Sequence, residues 1–291
     1  MTLLRYGAVG LLRICAANSR VSRLADYAHN RLVYERLKTA FIKNGEASRY
    51  ESALRRDLVR RFELIDENVP RATSRTDFLY IAETLFSLNC SGEIIECGCY
   101  AGASTCKLSL LAAITSRRLK VFDSFCGLPQ TEGGNASDFH TRYPARSFAG
   151  IWKGGLYGCS RDQVSAALRR FGDSRVCSLY EGWFDRTLNS DNLGGEIALA
   201  FVDVDLPESV RTCVEAIWPR LSAGGAFFSH DVAFIKATLE LLNPKMWSGK
   251  FGEFPPVLFG AGYGLGEYSP HLGFIIKSSD PGYIKSLTLQ K

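Results

Sequence analysis

The stretch Glu93-Ile-Ile-Glu-Cys-Gly-Cys-Tyr-Ala-Gly-Ala-Ser-Thr105 (EIIECGCYAGAST) decides how the rest of the chain is read. A short, continuously apolar run ends in a glycine turn, and a helical pattern opens after it over 103–117. Continuous apolar runs of this kind are strands buried on both faces, not half-exposed ones. Similar runs follow at RLKVFDSF (118–125), RVCSLYEGW (175–183), EIALAFVDVD (196–205), GGAFFSHD (224–231) and HLGFIIK (271–277). Helical stretches at 161–171, 207–221 and 232–242 separate them, and the stretch 76–88 precedes the first, with Thr76 placed as its N-cap. Strand–helix alternation predicts an α/β fold: a doubly wound, mostly parallel sheet covered on both faces. Ligands of such sheets bind where the loops gather at the carboxyl ends of the strands.

Outside the alternation, residues 20–67 read as helices and Pro70 closes them, which predicts an N-terminal helical region over 1–75 and a main domain over 76–291. Residues 129–160 are loop-like, with Gly133, Gly134, Pro144, Gly154 and Gly155 among His140, Tyr143, Trp152 and Tyr157, and are expected to form a lid-like insertion. A second Gly/Pro-rich stretch covers 243–270.

Composition narrows the function. The 291 residues are 46% hydrophobic and 22% charged, the proportions of a globular chain. Residues 1–75 hold 15 Lys/Arg against 8 Asp/Glu, whereas the remaining 216 hold 20 against 22. The body is thus near neutral and has no basic footprint for nucleic acid. The basic helices are expected to pack on the main domain, cover its site or mediate self-association, so a homo-oligomer is possible. No apolar run approaches the length of a membrane span. Arg13 interrupts the apolar start MTLLRYGAVGLLRICAA, which reads as an amphipathic helix and not as an export signal. Nine cysteines show no CxxC pair or zinc spacing, and Cys97, Cys99, Cys177 and Cys213 lie in apolar runs. A reducing, cytoplasmic setting is expected.

The strand ends carry the chemistry. After Gly98 the dinucleotide fingerprint needs a glycine at 100, where Tyr100 stands, so the loop lacks the close backbone approach a pyrophosphate requires. Glu96 suits a cation, and S-adenosylmethionine carries an ammonium and a sulfonium. Asp123, ending the second strand, suits a ribose diol; a helix cap is the alternative. Asp203 and Asp205 close the fourth strand and His230 and Asp231 the fifth, a cluster that a divalent cation would resolve. Oxygen ligands favour Mg²⁺; His230 as a third ligand would favour Mn²⁺, and a His230 turned to the other side of the strand would leave Mg²⁺ sufficient. Capping of the helix that starts at Pro207 accounts for Asp205 and capping from Val232 competes for Asp231, but neither accounts for Asp203.

With these motifs in order, the chain resembles the macrocin O-methyltransferase family over roughly residues 75–280. The resemblance rests on ECGCYAGAST, VFDSFCGLP (121–129), EGWFDRTL (181–188), FVDVDLPES (201–209) and WPRLSAGGAFFSHD (218–231). It implies a class I methyltransferase fold with a seven-stranded sheet, S-adenosylmethionine as cofactor and Mg²⁺-dependent methylation of a hydroxyl on a sugar or related natural-product acceptor. It further implies that Glu96, Gly98, Gly102 and Asp123 bind the cofactor, with Tyr100, Ser104, Thr105 and Ser124 in the same loops. Gly182 and Trp183 would lie near adenine, and Asp203 and Asp231 would hold the metal. A proton acceptor is expected from the insertion, Asp138 or His140. The chain departs from the family pattern at Cys126, where Glu is common, at Pro207, where Tyr is common, and at His230-Asp231, where Asp-Asp is usual. Two other functions fit less of the sequence: a non-catalytic methyltransferase-like binding protein, and a nucleotide-dependent oxidoreductase.

Overall fold

The computed structural model of the protein describes residues 19–129, 155–262, 264–265 and 269–277. It divides into two compact units, residues 1–56 and 57–291. In the first, helix α1 (Ser19–Lys43) runs through a 3-10 turn (Asn44–Ala47) toward α2 (Ser52–Asn68). Arg55 locks this unit from within: its guanidinium bonds the carbonyls of Tyr50 (2.9 Å) and Phe41 (3.0 Å) and lies 4.7 Å over the Phe41 ring. A buried arginine is tolerated because its donors are satisfied.

The second unit contains the predicted alternation. In chain order it holds α3 (Asp77–Ser87), β1 (Glu93–Cys97), α4 (Ala103–Ile114), β2 (Leu119–Asp123), α5 (Arg161–Phe171), β3 (Cys177–Glu181), β4 (Ile197–Val202), α6 (Pro207–Ile217), β5 (Leu221–Ser229), α7 (Ile235–Leu241) and β6 (Gly273–Ile276). The sheet order is β3-β2-β1-β4-β5-β6, with β6 alone antiparallel. The chain winds outward from β1 to β3, then crosses to β4, so the order reverses between β1 and β4. That reversal opens a crevice above the carboxyl ends of β1 and β4.

Six strands form among the described residues, not the seven expected. Between α7 and β6 the chain carries Pro255 and Pro256, which cannot donate to a ladder, and glycines at 260 and 262 with positive φ. Pairing there shrinks to one antiparallel bridge, Phe259 with Phe274, made of two bonds of 2.9 and 3.1 Å.

The period-two alternation of strands distributes the core. On β4, Ala200 and Val202 join Val210, Cys213, Val214 and Ile217 of α6 and Ala237 and Leu241 of α7 in one buried cluster. Phe201, between them, faces the other way and meets Phe78 of α3, which in turn meets Phe62. All six residues of β4 are buried, whereas β3 at the sheet edge is only half-buried. The eight described cysteines are all free. Among the described residues no helix is long and apolar enough to cross a membrane.

Candidate active site

A cavity of about 490 Å³ lies over the β1/β4 reversal, within the range of small-molecule sites. The β1–α4 turn forms one wall. Gly98 has φ 82°, and a Cβ there would run into the carbonyl oxygen of Asp203, so the ends of β1 and β4 approach closely only because this residue is glycine. Gly102, at φ 86°, opens α4, and a Cβ on it would press on Val164. Asp123 stands beside the turn. Its Oδ2 accepts from the Cys99 amide and its Oδ1 from the Phe125 amide, both at 2.7 Å, which fixes the carboxylate while leaving each oxygen a further lone pair.

Gly98, Tyr100, Ser104, Asp123, Ser124, Gly182 and Trp183 all line the cavity. Glu96, Gly102 and Thr105 are not on its wall. Glu96 is fully buried beneath Ser104 and Thr105, accepts the Thr105 hydroxyl at 2.7 Å, and has a second oxygen without a partner. Burial pushes its carboxyl up to about 8, against the nearby hydroxyls of Ser104 and Thr105, which favour the charged form.

At the other end Asp203, Asp205 and Asp231 offer oxygens that all lie within 4.8 Å of one another. Helix capping accounts for neither Asp205 nor Asp231. The N-cap of α6 is Leu206 and that of α7 is Phe234, neither with a side-chain cap bond. Instead Asp205 sits at φ 61°, in the left-handed region, and turns back onto the cluster. Asp231 Oδ2 accepts the amides of Val204 (3.1 Å) and Asp205 (3.0 Å), pinning that turn, while its Oδ1 is buried and unpartnered. Burial, then Asp203, raise Asp231 to about 7. Burial, then Asp231 and Asp203, raise Asp205 well above the ordinary carboxylate range.

His230 is not a member of this trio. Its Nδ1 lies 3.3 Å from Asp203 Oδ1 and its Nε2 3.2 Å from Asp77 Oδ2, so both ring nitrogens face carboxylates. Burial works to lower its pKa, but Asp203 and Asp77 outweigh it and hold the ring well above the usual histidine value. Asp77 opens α3 and also accepts the Ser74 amide at 2.6 Å. Thr76 holds the N-cap position, but its hydroxyl bonds Ser74 and Ser269 and caps nothing. Tyr157, which the sequence places in the lid-like insertion, lines the cavity, as do His271, Phe234 and the Pro70–Thr73 loop, which nothing in the sequence pattern marks as site residues. Tyr157 meets Tyr100 edge-on at 5.4 Å, and burial followed by Asp205 and Asp203 raises its phenol. It stands where the insertion returns: the Leu128 amide bonds the Leu156 carbonyl and the Gly155 amide the Leu128 carbonyl, both at 2.9 Å. Asp138 and His140 lie outside the described residues.

The family model of the macrocin-O-methyltransferases matches residues 71–244, more than half of the chain. The chain belongs to that family. A curated relative, the 8-demethyl-8-(2,3-dimethoxy-alpha-L-rhamnosyl)-tetracenomycin-C 4'-O-methyltransferase of Streptomyces olivaceus, is 30% identical over 184 residues. Those residues are 61% of this chain and 66% of the relative, just under two thirds of its length. Among solved structures, the O-methyltransferase NovP superposes with a TM-score of 0.56 at 18% identity, over 86% of this family member and 99% of NovP. That likeness extends to the fold.

Proposed function

We propose that this macrocin-O-methyltransferase family member transfers a methyl group from S-adenosylmethionine to a hydroxyl of a sugar-like natural-product acceptor, assisted by a divalent cation. The observation that carries the reading is one cavity with a fixed, lone-pair-bearing carboxylate at one end, Asp123, and three converging carboxylates at the other. The acceptor class follows the relative in Streptomyces olivaceus, whose own name places its methyl group on a rhamnosyl-bearing molecule.

The residues fit both groups. Asp123 accepts the ribose hydroxyls, Gly98 and Ser104 form the wall for the amino-acid portion, and Gly182 and Trp183 flank adenine. Glu96, Gly102 and Thr105 act from beneath, setting the turn and the start of α4. The trio of Asp203, Asp205 and Asp231 suits a hard cation such as Mg²⁺, because a buried, unpartnered carboxylate oxygen is otherwise an uncompensated cost. Such an ion would lower the pKa of an acceptor hydroxyl beside it. Bound S-adenosylmethionine would supply the methyl group on its sulfonium, with S-adenosylhomocysteine as the leaving group. The chain's own part is alignment of the acceptor oxygen with that carbon and removal of the hydroxyl proton. Asp138 or His140 of the insertion takes that proton.

Calorimetry with S-adenosylhomocysteine tests the reading. Wild type binds, and Asp123→Asn weakens binding at least tenfold, about 1.4 kcal/mol. A folded wild-type chain that binds no S-adenosyl ligand refutes it.

A further inference from the structure

We infer that Asp77 and His230 are positioning residues that hold the Asp203 carboxylate in place for the cation-binding trio. The inference rests on the methyl-transfer reading, and within it assigns to His230 a role other than ligation. The imidazole spans two carboxylates, 3.2 Å to Asp77 and 3.3 Å to Asp203, and has no third nitrogen with which to bind an ion. One ring nitrogen faces each carboxylate, so the ring bridges Asp77 and Asp203 and meets Asp203 from a fixed side. One oxygen held by His230 fixes the rotation of the Asp203 carboxylate about its last torsion, which otherwise has a broad, shallow profile.

The strut is anchored in rigid parts. Asp77 is fully buried at the first residue of α3 and is itself held by the Ser74 amide. The His230 amide bonds the Val202 carbonyl at 2.8 Å, and the Asp203 amide bonds the Cys97 carbonyl at 2.9 Å. The ring is packed laterally by Phe201 and His271, at 6.2 and 5.7 Å between centroids. A helix that opens 153 residues before His230 therefore sets the orientation of a carboxylate at the end of β4, in the way that partners behind metal ligands orient them elsewhere.

Binding of Mn²⁺ alone, followed by electron paramagnetic resonance, tests this without an acceptor. Wild type should bind Mn²⁺ with no ¹⁴N modulation from an imidazole. His230→Gln takes the ring away from Asp203, and a ring with no part in the site would leave Mn²⁺ bound as before. A positioning ring leaves it bound at least fivefold more weakly. Asp77→Asn should weaken Mn²⁺ by a similar factor, and the double variant no more than the weaker single one. Circular dichroism confirms that the variants are folded, and the ¹⁴N measurement needs no variant. Imidazole modulation in wild type, or unchanged or tighter Mn²⁺ in His230→Gln, overturns the inference. Binding of S-adenosylhomocysteine without any Mn²⁺ also overturns it while leaving methyl transfer standing; binding of neither removes both.

Discussion

Replacing Glu96 with Gln should make the protein less sensitive to rising pH. The carboxyl is fully buried, with one oxygen bonded to Thr105 and the other unpartnered, and burial lifts it from an ordinary 4.5 to about 8. Between those values the folded chain keeps a proton that the unfolded chain releases, so the folded state binds more protons and stability falls as pH rises. The contribution is complete below pH 4.5 and lost by pH 8. At about 1.4 kcal/mol for each pH unit crossed, wild type should lose on the order of 3–4 kcal/mol between roughly pH 5 and pH 8 from this group alone. Gln keeps an acceptor for Thr105 and has no charge to strand. Urea unfolding followed by tryptophan fluorescence, with no S-adenosyl ligand present, should find the variant close to wild type near pH 5 and clearly more stable near pH 8. A stability difference between the two proteins that stays constant across that range refutes the argument.

Three further outcomes follow from the geometry. Gly98→Ala should abolish S-adenosylhomocysteine binding in calorimetry, because its Cβ would displace the Asp203 backbone and a left-handed φ disfavours it as well. Lys107→Ala should destabilise the fold by about 2–3 kcal/mol in urea unfolding, since it removes a fully buried ammonium from Asp66, which keeps Arg71 at 3.2 Å. Asp205→Asn should weaken Mn²⁺ in resonance titrations at least tenfold while shifting the unfolding midpoint little, as no helix depends on it as a cap.

Strands are legible because their chemistry is local. EIALAFVDVD contains six consecutive buried residues that no amphipathic helix would present, and it forms β4. The carboxylates at the strand ends are legible for the same reason, since parallel strands deliver their ends to one edge. What is not legible depends on backbone torsion or on distance along the chain. Asp205 joins Asp203 and Asp231 because its φ is positive, and an aspartate after a strand and before Pro207 reads equally well as a cap. Asp77 looks in sequence like the ordinary acidic first turn of a helix; its partnership with His230, 153 positions away, exists only in the fold. Glu96 stands on β1 as its sequence context implies, but its side chain lies under the turn instead of in the cavity. Among the described residues pairing beside β6 is reduced to the Phe259–Phe274 bridge, where Pro255 and Pro256 lack donors and nearby glycines take positive φ.

The paired bonds between Leu128 and residues 155 and 156 bear on how the family member can change. Both ends of the intervening stretch are tied at a single point, so the frame does not register how many residues lie between. Loop closure grows only slowly more costly with length. The length of chain between Leu128 and Gly155 can therefore change while β1, β4 and their carboxylates keep their places. A tie of this kind separates variation in chain length from the geometry of the strand ends.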